Sequence, residues 1–72
     1  MTFSERLKEL RLAKGLTQMQ VSQSTGMSLL GYQRYEYGSR EPAYNKLLAL
    51  ADYFDVSLDY LVGRTNKPEV NS

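Results

Sequence analysis

The chain contains no cysteine, no histidine and no tryptophan, and only two prolines among its 72 residues. Without cysteine, disulfides and thiolate metal sites are excluded together. Without histidine, the usual zinc ligand sets, the commonest general base and every Ser-His nucleophile arrangement are lost as well. No nucleophile–base pair or cofactor motif takes their place, so the residues point away from an enzyme and imply neither cofactor nor metal. Long apolar runs are also missing: Met1 to Leu12 is broken by Ser4, Glu5, Arg6, Lys8, Glu9 and Arg11, and nothing downstream approaches a membrane span. The expectation is a cytoplasmic chain that makes no membrane contact and shows no small-molecule site. Its length allows one domain, whose core is expected to supply only about 3 to 5 kcal/mol of net stability.

What the sequence does have is helical spacing of its apolar residues, with no stretch that alternates in the period-two manner of a strand. Five helices fit the punctuation, giving an all-α chain. The first spans about 3–14, with Phe3, Leu7 and Leu10 on one stripe, Thr2 and Glu5 at capping-box spacing, and a charged opposite face. Three later starts share a capping Ser or Thr with an apolar residue just before it and another four places on, the hydrophobic staple. These are Thr17 between Leu16 and Val21, Ser28 between Met27 and Tyr32, and Ser57 between Val56 and Leu61. They open helices at about 18–25, 29–37 and 58–62, and a fourth helix over 43–54 buries Leu47, Leu50, Ala51 and Phe54. Beyond Gly63, residues 64–72 have no periodicity and are expected to form a mobile tail.

The net charge of +1 hides an asymmetry. Residues 1–42 carry Arg6, Lys8, Arg11, Lys14, Arg34 and Arg40 against four glutamates, whereas residues 43–63 carry Lys46 against Asp52, Asp55 and Asp59. The three aspartates lack the glycine-containing loop of a calcium motif and are not read as a cation site.

Two short helices joined by a three-residue turn that contains Gly26, the second opened by a polar cap, have the arrangement of a helix-turn-helix over 17–37. In that arrangement the first helix crosses the DNA backbone and the second lies in the major groove. Spacing turns Tyr32 and Tyr35 inward and leaves Leu29, Leu30, Gln33, Arg34 and Tyr37 outward.

The blocks Leu16-Thr17-Gln18, Gly26-Met27-Ser28, Arg34-Tyr35-Glu36-Tyr37-Gly38 and Arg40-Glu41-Pro42, together with the ending from Leu48 to Leu61, resemble the Cro and phage-repressor type of helix-turn-helix, also called the xenobiotic-response-element family. The resemblance covers about residues 3–63. It implies a five-helix, lambda-repressor-like DNA-binding domain over 1–63 and a homodimeric transcriptional regulator, typically a repressor, on double-stranded DNA with an inverted-repeat operator. It also implies roles for matching positions. Leu29, Leu30, Gln33 and Arg34 fall on the base-reading helix, and an Arg fork on guanine is the commonest specific contact. Gln18, Ser28, Tyr37, Ser39 and Arg40 fall where phosphates are contacted, and the amides at the start of the second helix favour an anion there. Arg11 and Glu36 match a structural ion pair, and Tyr60, Leu61 and Val62 lie at the end where short members of the family pair.

Several positions depart from the family's pattern. Leu29 and Leu30 replace hydrogen-bonding residues, leaving them to pack on thymine methyl groups or to form a protein-binding patch. The second option belongs to a different function, an antitoxin or anti-regulator that keeps the fold and binds protein. Gly31 in mid-helix suggests either a close approach or simple tolerance. Tyr32, Ser22 and Thr25 make the core beneath the motif more polar than usual, so their hydroxyls need partners. Ala43 and Asp55 replace the more usual caps of the fourth helix.

Overall fold

Each capping signature found along the chain opens a helix in the computed structural model, which describes residues 1–69. The helices are α1 (Phe3–Ala13), α2 (Gln18–Ser24), α3 (Leu29–Tyr37), α4 (Tyr44–Phe54) and α5 (Leu58–Leu61), with no strand among the described residues. The all-α, five-helix expectation holds, with ends that differ by one residue at most. Thr2 and Thr17 each form a complete capping box, with Glu5 and Gln20 respectively. The hydroxyls of Ser28 and Ser57 accept from the N–H groups of Gly31 and Tyr60 at 3.0 and 3.1 Å. Ala43 offers α4 no side-chain cap, and Asp55 closes that helix in the left-handed conformation at φ 55°.

The staples do more than start helices. Their inner members Val21, Tyr32 and Leu61 have no exposed surface and join Leu7, Leu50, Ala51 and Phe54 in the core, while Met27 and Val56 are buried beside them. A local signal at each cap therefore also selects which residue faces the core. α1 and α2 both pack on α3, and α5 bridges α1 and α4. This leaves one side of α3 uncovered.

Three features differ from what the sequence suggested. Arg6, which the sequence shows only as a charge interrupting the apolar run of the first twelve residues, lies three residues after Phe3 and four before Leu10, on the apolar stripe itself, and is only 3% exposed. Its guanidinium sits 3.7 Å from the centroid of the Tyr60 ring. Its Nε–H points to Met1 Sδ and its Nη2 to Asn66 Oδ1, at 3.1 and 3.4 Å, with Glu9 3.9 Å away. A cation this deep is tolerated because an aromatic face and polar partners replace its water.

Leu61 is the second difference. It is fully buried in the core, so it is unavailable to a partner chain and leaves the expected pairing surface. Third, the described part of the segment after Gly63 runs along the domain: the Ser57 N–H donates to the Pro68 carbonyl at 3.0 Å and the Arg64 N–H to the Asp59 carbonyl at 2.8 Å. Residues 70–72 of the expected tail lie outside the described residues.

Two open points of the core are also resolved. A Cβ at Gly31 would stand 2.9 Å from the Ser28 hydroxyl, which would have to shift slightly to admit it. Ser22 and Thr25 satisfy their hydroxyls on the Met19 and Val21 carbonyls at 2.8 and 2.7 Å. The Tyr32 hydroxyl, in contrast, is buried beside the Glu36 carboxylate and makes no hydrogen bond of good geometry among the described residues.

A buried polar group without a partner costs on the order of 1–3 kcal/mol. Tyr32→Phe keeps the ring and removes the orphan. Urea unfolding should show a stability gain of about 1 kcal/mol; a loss would mean that the hydroxyl is satisfied in solution.

Candidate nucleic-acid interface

The uncovered side of α3 is the side expected to read bases. Leu29, Leu30, Gln33, Arg34 and Tyr37 recur at the spacing of one helix face. Leu30 and Tyr37 are 57% and 70% exposed, Arg34 is exposed, and Leu29 and Gln33 are half-buried at the margin toward the domain. Nine residues at a rise of about 1.5 Å make a rod on the scale of the major groove, which is about 12 Å wide.

Flanking groups complete the surface. Gly38 takes the left-handed conformation at φ 79° and ends α3, and the Ser39 N–H donates back to the Arg34 carbonyl at 3.0 Å. That turn sends Ser39 and Arg40 into solvent beside the C-terminal end of α3. Among the described residues no carboxylate pairs with Arg34 or Arg40. Glu36, the acid nearest Arg34 in sequence, is engaged elsewhere. At the other end, the Ser28 hydroxyl accepts the Gly31 N–H and keeps its own proton to donate.

Beneath this surface lies the ion pair. The Arg11 guanidinium grips Glu36 in a fork, Nε to Oε2 and Nη2 to Oε1, both at 2.8 Å, and its Nη1 donates to the Leu16 carbonyl at 3.0 Å. The Glu36 side chain is 1% exposed. Burial pushes its carboxyl up, but the hydrogen bonds from Arg11, with smaller contributions from the neighbouring Tyr32 hydroxyl and from Gln18, outweigh burial and hold it below the usual glutamate range. Next to the pair, burial pushes the Tyr32 hydroxyl well above the ordinary tyrosine range.

The side chain of Gln18 has a place that the sequence did not reveal. Its Nε2 donates to Glu36 Oε1 at 3.3 Å, and its Oε1 accepts from Gln33 Nε2 at 3.1 Å. Residues expected to serve separately as phosphate contact, base reader and structural pair are thus hydrogen-bonded in one row. Helical spacing puts Gln33 on the outer face, but no sequence signal says that it lies against the start of α2. Tyr60 and Val62 do not join this surface, since they belong to the α5 end, which packs on α1 and α4.

Comparison with known proteins agrees with this geometry. A helix-turn-helix family model matches residues 7–61. The chain belongs to the helix-turn-helix family of Cro and phage-repressor type. It is 46% identical over 66 residues to the uncharacterized HTH-type transcriptional regulator YqaE of Bacillus subtilis (strain 168), covering 90% of this chain and 57% of that protein. It is 39% identical over 64 residues to the cryptic phage CTXphi transcriptional repressor RstR of Vibrio cholerae, covering 89% and 57%. The chain thus spans under three fifths of the length of these curated relatives. Among solved structures, the P22 c2 repressor in complex with a synthetic operator superposes with a TM-score of 0.81 at 27% identity, covering 86% of this chain and 94% of that one. The family is one of DNA-binding transcriptional regulators, not enzymes. No helix among the described residues is long and apolar enough to cross a membrane.

The ion pair makes the family domain acid-sensitive in a stated direction. In the unfolded chain the Glu36 carboxyl returns to about 4.3, and a lowered folded value means that its contribution is complete above that pH and lost as the pH falls through the folded value. Unfolding measured from pH 7 to pH 2 should show stability falling below about pH 4.3, with a shallower fall in Glu36→Gln. Arg11→Met strands the carboxylate and should cost about 3–5 kcal/mol at pH 7.

Proposed function

We propose that this chain is a sequence-specific double-stranded DNA-binding regulator, acting in the cytoplasm as a homodimeric repressor on an inverted-repeat operator. The DNA-binding unit is residues 1–63, with its helix-turn-helix over 17–37. The observation that carries this reading is the uncovered face of α3, where the guanidinium of Arg34 stands in solvent without an acidic partner among the described residues. Arg34 forks onto a guanine, Leu29 and Leu30 pack on thymine methyl groups, and Gln33 contacts a base edge. Gln18, Ser28, Tyr37, Ser39 and Arg40 hold phosphates and set the register without reading sequence. Support comes from the RstR repressor and from the P22 c2 repressor, the latter solved on operator DNA.

Scale supports dimerisation. The domain measures 30 × 22 × 21 Å and presents one α3, whereas successive major grooves on one face of the duplex are about 34 Å apart. Two copies related by a two-fold axis reach both. They pair through the α5 end, where Tyr60 and Val62 retain partial exposure around the buried Leu61.

Selection from a random duplex library at near-physiological salt tests the proposal. An enriched inverted repeat with half-site centres about one turn apart, bound by two chains, is the expected result. Arg34→Ala should then relax preference at one base pair per half-site by about 1–3 kcal/mol, while Arg40→Ala weakens all sequences alike and lowers the salt slope by about one. No enrichment, with only salt-sensitive retention, would favour the competing reading in which the exposed Leu30 docks on a protein.

A further inference from the structure

The segment after α5 touches the domain at both ends of that helix. Gly63 turns the chain at φ 84°, where a Cβ would collide with the Met1 carbonyl, so the chain leaves α5 pressed against the N-terminal residue. It then doubles back. Asn66 offers its Oδ1 to Arg6 Nη2 at 3.4 Å, and the Pro68 carbonyl accepts the N–H of Ser57, the residue that opens α5, at 3.0 Å. Residues 64–69 thus form a strap around a helix of only four residues.

The strap matters most to Arg6. A guanidinium carries five donors, and this one belongs to a residue only 3% exposed. Glu9 stands 3.9 Å away with its own side chain half exposed, too far for a hydrogen bond, and Met1 supplies a thioether, a weak acceptor. Asn66 therefore provides the one oxygen within hydrogen-bond distance of this cation among the described residues. When the strap lifts, Arg6 loses that oxygen, and a desolvated charge short of partners turns to water. The guanidinium then leaves the Tyr60 ring that it covers. A single helical turn does not hold itself without packing, so Tyr60 and Val62, the proposed pairing edge, lose their fixed place together.

We infer that residues 64–69 control pairing. Laid down, the strap keeps Arg6 over Tyr60 and presents α5 to a second copy ready-formed, which lowers the ordering cost of association. Lifted, it leaves a single chain with one reading helix. Its anchors are few and lie at the surface, so it opens before the core does and sets how readily two chains meet on an operator. The inference rests on the homodimer reading and extends the working unit from residue 63 to residue 69.

The test uses the full chain with two changes at one position. Asn66→Leu removes the oxygen, whereas Asn66→Asp sets a carboxylate opposite the cation. Amide hydrogen exchange reads the strap at the Ser57 N–H, analytical ultracentrifugation reads pairing, and duplexes carrying one selected half-site or the inverted repeat read DNA binding. Asn66→Leu should speed exchange at Ser57, Leu61 and Val62 by about tenfold or more, with the α3 amides within about twofold of wild type. Its dimer should dissociate about tenfold more readily, and binding to the inverted repeat should weaken while single half-site affinity stays unchanged. Asn66→Asp should slow exchange at Ser57 and pair at least as tightly as wild type.

The inference is overturned if Asn66→Leu frees Ser57 yet pairs as tightly as wild type, or if pairing weakens with Ser57 exchange unchanged. It is equally overturned if Asn66→Asp behaves as Asn66→Leu does. Exchange that rises alike in every helix also overturns it, for the strap then only adds stability. A wild type that stays single at every concentration and on the inverted repeat has a different signature, and would remove the homodimer reading itself along with the inference.

Discussion

The Glu36 carboxylate, withdrawn almost entirely from water, is the group on which the arrangement of the first three helices depends. It belongs to α3. Its forked partner Arg11 belongs to α1, and the same guanidinium reaches the Leu16 carbonyl just before α2, whose first residue, Gln18, also bonds to the carboxylate. Three helix segments are thereby pinned to one point. The desolvation cost of such a pair can exceed its Coulombic gain, so its value lies less in net stability than in what it forbids. Any slip of α1 or α2 along α3 would leave a charge buried without its partner. In a core of this size that penalty would be a large part of the total stability.

In the proposed reading the same helix therefore has two tasks, separated by side. Tyr32, Tyr35 and Glu36 face the domain and fix the angle of α3, while Leu30, Arg34 and Tyr37 face outward and touch little. A reading surface needs both conditions. Side chains that recognise base edges must be exposed before binding, and the backbone that carries them must not move when they are used. Here rigidity comes from below, through the ion pair, and from the two ends, through the Ser28 cap and the Gly38 turn.

The far side of the domain is held by a different device. Arg6 lies over the Tyr60 ring and joins Met1, α1, α5 and the segment around Asn66. A long side chain with an apolar stem and a charged tip covers a junction that an aliphatic residue would leave too wet and a carboxylate could not enter. It also keeps Tyr60 partly occupied within one chain. The residues that seemed from sequence to form one pairing patch are thus divided: Leu61 is core, Tyr60 is stacked under Arg6, and Val62 remains at the edge.

Most of the fold was legible along the chain because its determinants are local. Caps, staples and helix-ending glycines act over four or five residues, and each staple also names a core residue, so Thr17, Ser28 and Ser57 located helices and Val21, Tyr32 and Leu61 the interior. The outward face of α3 was legible for the same reason, as a matter of helical period, and the match of Arg11 with Glu36 came from fixed-spacing blocks. What stayed hidden depends on how helices cross. Arg6 reads as a surface charge until Tyr60, 54 positions later, arrives to cover it. Gln18 and Gln33 read as two separate contacts until the packing of α2 on α3 brings their amides within 3.1 Å and the buried Glu36 turns both the same way. The sequence by itself determined where the helices begin, end and turn their apolar sides, since those are contests between near neighbours. Only the tertiary structure decided which polar groups meet, because a hydrogen bond between helices is a question of angle and distance that no local pattern contains.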